Sequence, residues 1–236
     1  MKLQLLTAIA ALALSVITAS GAAQTTPTAA APAAAPAPPT SSTIHFVDRW
    51  LPNTVSRDRK PTSPVDMIML HFSSDLIAHP DDPFNVDRVL QVYRDAKVSA
   101  HYLIGRDGTV YRLVPESRVA YHAGKGSLPW LPGRKNNLNE YSIGIEMLNV
   151  GSARDMAMFM KPEPYQAYAT KHPNWIGYTP AQYTALKELI AEIRSRHPLI
   201  KFDRYHIIGH EEWSPTRRSD PGETFDYTKI GLPKTR

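Results

Sequence analysis

The segment VSAHYLIGRDGTVYRLV, residues 98–114, sets two apolar runs on either side of Arg106-Asp107-Gly108. Asp-Gly between such runs signals a tight hairpin, because glycine accepts the positive φ that the turn demands. Residues 101–105 and 109–114 therefore read as paired strands. Working outward, DMIMLHF (66–72) and SIGIEML (142–148) are apolar enough for central strands, and HIIG (206–209) is a short fifth. Two helices separate them. Residues 85–96 place Val86, Val89, Leu90 and Tyr93 at i, i+3, i+4 and i+7. In the second, Thr179 supplies an N-cap and Pro180 a first-turn proline, and Tyr183, Leu186, Leu189, Ile190 and Ile193 form one apolar face ending near His197-Pro198. Strands interleaved with helices, with one tight hairpin, predict a single α/β domain with a central mixed β-sheet flanked by helices.

The chain's 236 residues suffice for that one domain with appendages. Met1-Lys2, an apolar run from Leu3 to Ile17 and the small residues Ala19 to Ala23 have the pattern of a cleaved secretory signal peptide, 1–23. The run is short beside the roughly 20 apolar residues that cross a bilayer. Residues 24–43 are almost entirely Ala, Pro, Thr and Ser, a tether with little to bury. The folded unit is expected over 44–236, exported to the periplasm, the medium or the cell wall. Cysteine is absent, which excludes disulfides, thiolate ligands and a lipoprotein anchor at this terminus, so no stable membrane anchor is expected. The net charge of +5 is spread among acidic residues, with no Lys/Arg stripe interleaved with aromatics, and this argues against nucleic acid. Oligomeric state is not legible.

Two long segments, 123–141 and 151–178, show no period and read as irregular walls of a cleft or surface insertions. Without cysteine, a metal would need His, Asp or Glu. Of nine histidines, His71 ends the first central strand and His210 closes HIIG, with Asp220 ten residues later. They form a candidate His2Asp site, for which spacing alone is weak evidence.

Five stretches strengthen it: MLHFSS around His71, VSAHYLIGRDGTVYRLV, AYHAG at 120–124, NEYSIGIEMLN at 139–149 and GHEEWSPTRRSDPG at 209–222. In this order they resemble the zinc-dependent N-acetylmuramoyl-L-alanine amidase family, amidase type 2, which shares its fold with peptidoglycan-recognition proteins. The resemblance runs from about Asp66 to Phe225. It implies that His71, His210 and Asp220 hold Zn2+, where many relatives have cysteine in the last place. It also implies that Glu146 activates the attacking water and that the partner is peptidoglycan or muropeptides, cut between the lactyl group of muramic acid and L-alanine.

Arg218 stands where many bacterial members have lysine. Arginine holds an oxyanion through two N–H groups but gives up no proton at neutral pH; the alternative is a simple ion pair with Asp220. His122 matches a position lining the substrate cleft, with zinc ligation the alternative. Trp130 either stacks on sugar or packs against the domain. His101 reads as a structural histidine near the site. His206 lies four residues before His210 on an extended segment, too far for the same ion. The competing functions are a recognition protein that binds muropeptide without cutting it, and a zinc hydrolase of another amide.

Overall fold

The computed structural model describes residues 43–235. The expected signal peptide and almost all of the tether lie outside them. Strands are β1 Phe46–Asp48, β2 Ser56–Asp58 and β3 Met67–Ser73, followed by α1 Val86–Ala96. Then come β4 Tyr102–Ile104, β5 Val110–Arg112, β6 Arg118–Ala120 and β7 Ser142–Leu148. Helices α2 Ala153–Met156, α3 Pro162–Lys171 and α4 Pro180–Arg196 precede β8 Ile207–Gly209 and α5 His210–Trp213.

Six strands form one sheet in the order β1-β5-β4-β7-β3-β8, and β2 pairs with β6 in a second. Within the larger sheet only β4 and β5, the Asp-Gly hairpin, are antiparallel. The sheet is therefore mixed, as read from the sequence. Its centre, β3 and β7, is covered on both faces.

Strand periodicity of two divides the labour between those faces. Ile68 and Leu70 of β3, Ile143, Ile145 and Met147 of β7, and Tyr102 and Ile104 of β4 pack on Leu186, Leu189, Ile190 and Ile193 of α4. Each such aliphatic side chain contributes about 1.5–3 kcal/mol of burial. The helix begins where its caps predict: Thr179 Oγ1 accepts from the Gln182 N–H, and the Gln182 side chain accepts from the Thr179 N–H. Opposite α4, two separate apolar clusters form. One joins Leu103 to Val89, Leu90 and Tyr93 of α1. The other joins Met67 and Met69 to Leu128, Leu138 and Trp213. Between them His71, Gly144 and Glu146 occupy the face, and the gap is polar.

The segment 151–178, expected to be irregular, contains α2 and α3. Pro162 and Pro164 fall in the first turn of α3, where no intrahelical N–H bond is lost. A proline pair opening a run with Tyr165 and Tyr168 buried was a start signal, masked by the short apolar pattern. His210 is the first residue of α5 rather than the last of a strand. The three-residue strands β1, β2 and β6 are too short to show a period.

His101 is fully buried and structural. Its Nδ1 accepts from the Gly144 N–H at 3.0 Å, so its one proton sits on Nε2 and is donated to the Arg118 carbonyl at 3.1 Å. A second proton would meet the Gly144 N–H. Burial, and then the charge of Arg59, push this imidazole from 6.5 to about 3. The folded value lies below the unfolded one, so the unfolded chain takes up the proton first as pH falls. Stability should therefore decline from about pH 6.5 toward 3, at up to about 1.4 kcal/mol per pH unit for this group. Urea unfolding at a series of pH values measures this; a flat profile between pH 6 and 4 contradicts a neutral His101.

Candidate metal centre and its cleft

β3 and β7 run parallel with His71 directly opposite Glu146. β8 flanks β3 on the other side, and α5 starts as that strand ends, which brings His210 beside His71. The following loop returns as the Glu211 N–H donates to the Asp220 carbonyl at 2.9 Å. His71 Nδ1, His210 Nδ1 and Asp220 Oδ2 then lie 2.7, 3.0 and 3.1 Å from one another, all three residues buried. Among the described residues this is the one group of three or more His, Cys, Asp or Glu side chains able to hold a metal ion.

Hydrogen bonds behind the imidazoles fix which nitrogens face inward. His210 Nε2 donates to the Ala123 carbonyl at 2.9 Å, which leaves Nδ1 as a lone pair. The same carbonyl receives Arg217 Nη2 at 3.4 Å, and the Trp213 indole N–H donates to the next one, Gly124, at 3.3 Å. On the other side, Ser142 Oγ donates to the Leu138 carbonyl at 2.8 Å and so accepts from His122 Nε2 at 3.2 Å. His122 Nδ1 is then an acceptor, and His71 Nε2 donates to it at 3.1 Å. Both histidines therefore present bare Nδ1 atoms to a carboxylate oxygen. Three lone pairs aimed at one another repel, and with both ring protons committed elsewhere a small cation is what relieves them.

Charge states agree with this. Burial pushes His71 down to about 4, so it is neutral at pH 7. Asp220, although burial opposes ionisation, is held below the usual carboxylate range by His210 and His71. Glu146 moves the other way. Burial, and then the negative Asp220, raise it to about 8, opposed by Ser73, Arg218 and Tyr93. Its Oε2 is buried without a hydrogen-bond partner. A cation held by the three donors would neutralise Asp220 and draw Glu146 back toward ionisation.

These residues line a cavity of about 390 Å³ with Tyr93, Ser99, Tyr121, His122 and Arg218 among its walls. Arg218 forms no ion pair with a described residue; the Asp220 carboxylate faces the Nδ1 atoms of the two histidines instead. The guanidinium thus faces the cavity with its charge uncommitted to a carboxylate. His122 was expected as a substrate contact. It touches the cavity, but it is buried and both its nitrogens are bonded within the chain, one to Ser142 and one to His71. Trp130 is not brought to this cavity: its indole N–H donates to the Tyr205 carbonyl at 3.3 Å and its ring meets Tyr205 edge-on. His206 bonds Asp203 and stays outside.

Sequence reasoning overlooked Gly144, Ser142, Ser73 and Tyr93. A Cβ on Gly144 would stand 2.5 Å from the His122 ring, so only glycine lets that ring lie across the sheet. The alternation Ser142, Gly144, Glu146 against Ile143, Ile145, Met147 was the available signal. Ser73 Oγ and Tyr93 OH, 2.6 Å apart, sit beside Glu146 and favour its charged form. Replacing His122 by alanine or Gly144 by alanine should weaken metal binding by about 10–100-fold, the usual loss when a ligand's outer partner goes. Competition titration against a chelating dye reads it directly; unchanged affinity in both variants contradicts the orienting role.

A mixed sheet that delivers two bare imidazole nitrogens, one carboxylate and a facing buried acid to a single cleft defines a candidate mononuclear metal centre. Residues 61–223 match the N-acetylmuramoyl-L-alanine amidase family. The chain belongs to that family. It is 32% identical over 134 residues to the 1,6-anhydro-N-acetylmuramyl-L-alanine amidase AmpD of Citrobacter freundii, spanning 57% of this chain and 56% of that protein's length. A crystal structure of an AmpD derivative superposes with a TM-score of 0.55 at 26% identity, covering 78% of this chain and 92% of that one. The E. coli amidase AmiD, in complex with anhydro-N-acetylmuramic acid-L-Ala-D-gamma-Glu-L-Lys, superposes with a TM-score of 0.51 at 26% identity, covering 74% and 59%.

Proposed function

We propose that the protein is a zinc-dependent amidase that hydrolyses the amide between the lactyl group of N-acetylmuramic acid and L-alanine of the stem peptide, on peptidoglycan or its muropeptide fragments. The observation that carries this is the convergence of His71 Nδ1, His210 Nδ1 and Asp220 Oδ2, 2.7–3.1 Å apart, with Glu146 across the strand pair. Zinc–nitrogen bonds of about 2.0–2.1 Å give tetrahedral edges of about 3.3 Å, close to that spacing. Two neutral nitrogens and one carboxylate suit zinc better than calcium or magnesium, which prefer all-oxygen sets.

When bound, zinc supplies Lewis acidity for the attacking water and the amide carbonyl. The chain supplies the rest. Glu146, unpaired at Oε2, accepts the proton of the attacking water and delivers it to the leaving L-alanine nitrogen. Arg218 stabilises charge developing on the carbonyl oxygen; as an arginine it takes no part in proton transfer. Ser73 and Tyr93 keep the Glu146 carboxylate aimed into the cavity. The same reading places the protein outside the cytoplasm, on the strength of the Met1-Lys2 start, the apolar run and the small residues before Gln24.

Incubating the purified protein with N-acetylmuramoyl-L-Ala-D-γ-Glu-L-Lys tests the activity. A new L-alanine amine should appear and a chelator should abolish its release. Intact glycopeptide under zinc-replete conditions would instead favour a protein that binds muropeptide without cutting it.

A further inference from the structure

Asp220 reaches the metal centre on the loop that follows α5. Its carboxylate faces two imidazole lone pairs, which repel it, so the position of the loop has to be set by contacts away from the donor atoms. Those contacts converge on one residue. Asp155, buried in the first turn of α2, accepts from the Glu223 N–H through Oδ2 at 3.2 Å and Oδ1 at 3.3 Å. Its own carbonyl accepts from Ser219 Oγ at 2.9 Å. Ser219 directly precedes Asp220 and Glu223 lies just beyond it, so Asp155 grips the loop on both sides of the donor. Between them Gly222 has a φ of 82°, and a Cβ there would run into the Asp155 carboxylate; the glycine lets the acid approach this closely. Asp155 is itself fixed by a capping box: Oδ2 also accepts from the Ser152 N–H at 3.0 Å, and the Asp155 N–H donates to Ser152 Oγ at 3.3 Å.

We propose that Asp155 is a positioning residue of the metal centre: without touching the ion, it holds residues 219–223 where the Asp220 carboxylate completes the donor set with His71 and His210. The inference rests on the reading of those three residues as the metal donors. Asp155 lies outside the five stretches that carry the family resemblance, in the segment between β7 and α4. Hydrogen bonds from amide N–H groups to a carboxylate are about twice as strong as neutral ones, which suits one side chain to tying a helix start to a loop. Two further bonds complete the frame, Tyr178 OH to the Pro221 carbonyl at 2.6 Å and the Glu211 N–H to the Asp220 carbonyl at 2.9 Å. They hold the main chain of the loop from the side opposite Glu223, and alone they leave its far end loose.

The experiment measures zinc affinity by competition with a chelating dye, and the visible absorption of the protein saturated with Co2+, whose bands report the number and type of donors. Neither depends on catalysis. Asp155→Ala should bind zinc about 10–100-fold more weakly, the scale of a lost outer partner, with the cobalt bands changed in position and intensity. Asp155→Asn, which keeps one acceptor oxygen for the Glu223 N–H, should recover most of that affinity. Ser219→Ala removes the other grip, leaves α2 intact and should lose about threefold to tenfold. Ser152→Ala weakens the start of α2 without touching residues 219–223 and should stay within about twofold of native. Urea unfolding of each zinc-free variant shows whether the chain still folds. Native affinity and native cobalt bands in both Asp155→Ala and Ser219→Ala overturn the proposal. So does a loss in Ser152→Ala equal to that in Asp155→Ala, because the effect then belongs to the helix start. If Asp155→Ala does not fold, Ser219→Ala decides alone, and native affinity there overturns the proposal. Asp220→Ala is the reference: if it loses zinc while Asp155→Ala keeps it, this inference fails and the metal assignment stands. If Asp220→Ala binds zinc as tightly as native protein, both fail.

Discussion

Replacing Glu146 by glutamine is expected to lower kcat on the muramoyl amide by about 10²–10⁴-fold with metal content unchanged. Glutamine keeps the shape of the side chain, so the β3–β7 pairing that sets it opposite His71 survives. What it loses is the ability to hold a proton between two heavy atoms. The native carboxyl is placed for that exchange: burial and Asp220 raise it to about 8, Ser73 and Tyr93 favour its ionised form, and a cation held by the three donors would lower it from there toward neutrality. A group balanced near neutrality accepts a proton from water and returns it to an amine with little penalty either way. Steady-state kinetics beside elemental analysis separate the outcomes. A near-native rate in Glu146→Gln removes Glu146 from the proton path, and loss of metal from the variant makes it a ligand instead.

The second large effect is expected from Asp220→Ala. Asp220 is the anionic member of the donor set; burial keeps His71 neutral near pH 7, and neutral nitrogens alone do not offset a divalent charge. The variant should purify with far less than one zinc per chain. Activity should fall by about 10³-fold or more, because Lewis-acid assistance is worth several kcal/mol and each 1.4 kcal/mol is a factor of ten. Folding should survive, since Asp220 belongs to the loop after α5 and none of the apolar clusters includes it. Full zinc occupancy and activity in Asp220→Ala would mean that another side chain completes the site.

The central strands were legible because burial on both faces writes a continuous apolar run, and the one antiparallel pair because its turn requires Asp-Gly. The candidate metal donors were legible at the level of strand ends and a nearby loop, and as a set only through the family's motifs. What stayed hidden has physical reasons. The job of His122 depends on the missing Cβ of Gly144, a contact between residues far apart in the chain that no local pattern records. Trp130 was legible only as an alternative between sugar and packing, because its loop has no period; its place, in a T-shaped contact with Tyr205 from the segment before β8, lies outside the metal cavity. Of Arg218, the sequence offered an oxyanion role or an ion pair with Asp220, and among the described residues that ion pair is not formed.

A crystal of the zinc-loaded protein, measured on both sides of the zinc absorption edge, bears most directly on this account. It predicts one anomalous peak per chain, bonded to Nδ1 of His71, Nδ1 of His210 and a carboxylate oxygen of Asp220, with Nε2 of the two histidines still held by His122 and the Ala123 carbonyl. A peak ligated through Nε2, or lying away from these three residues, would contradict it.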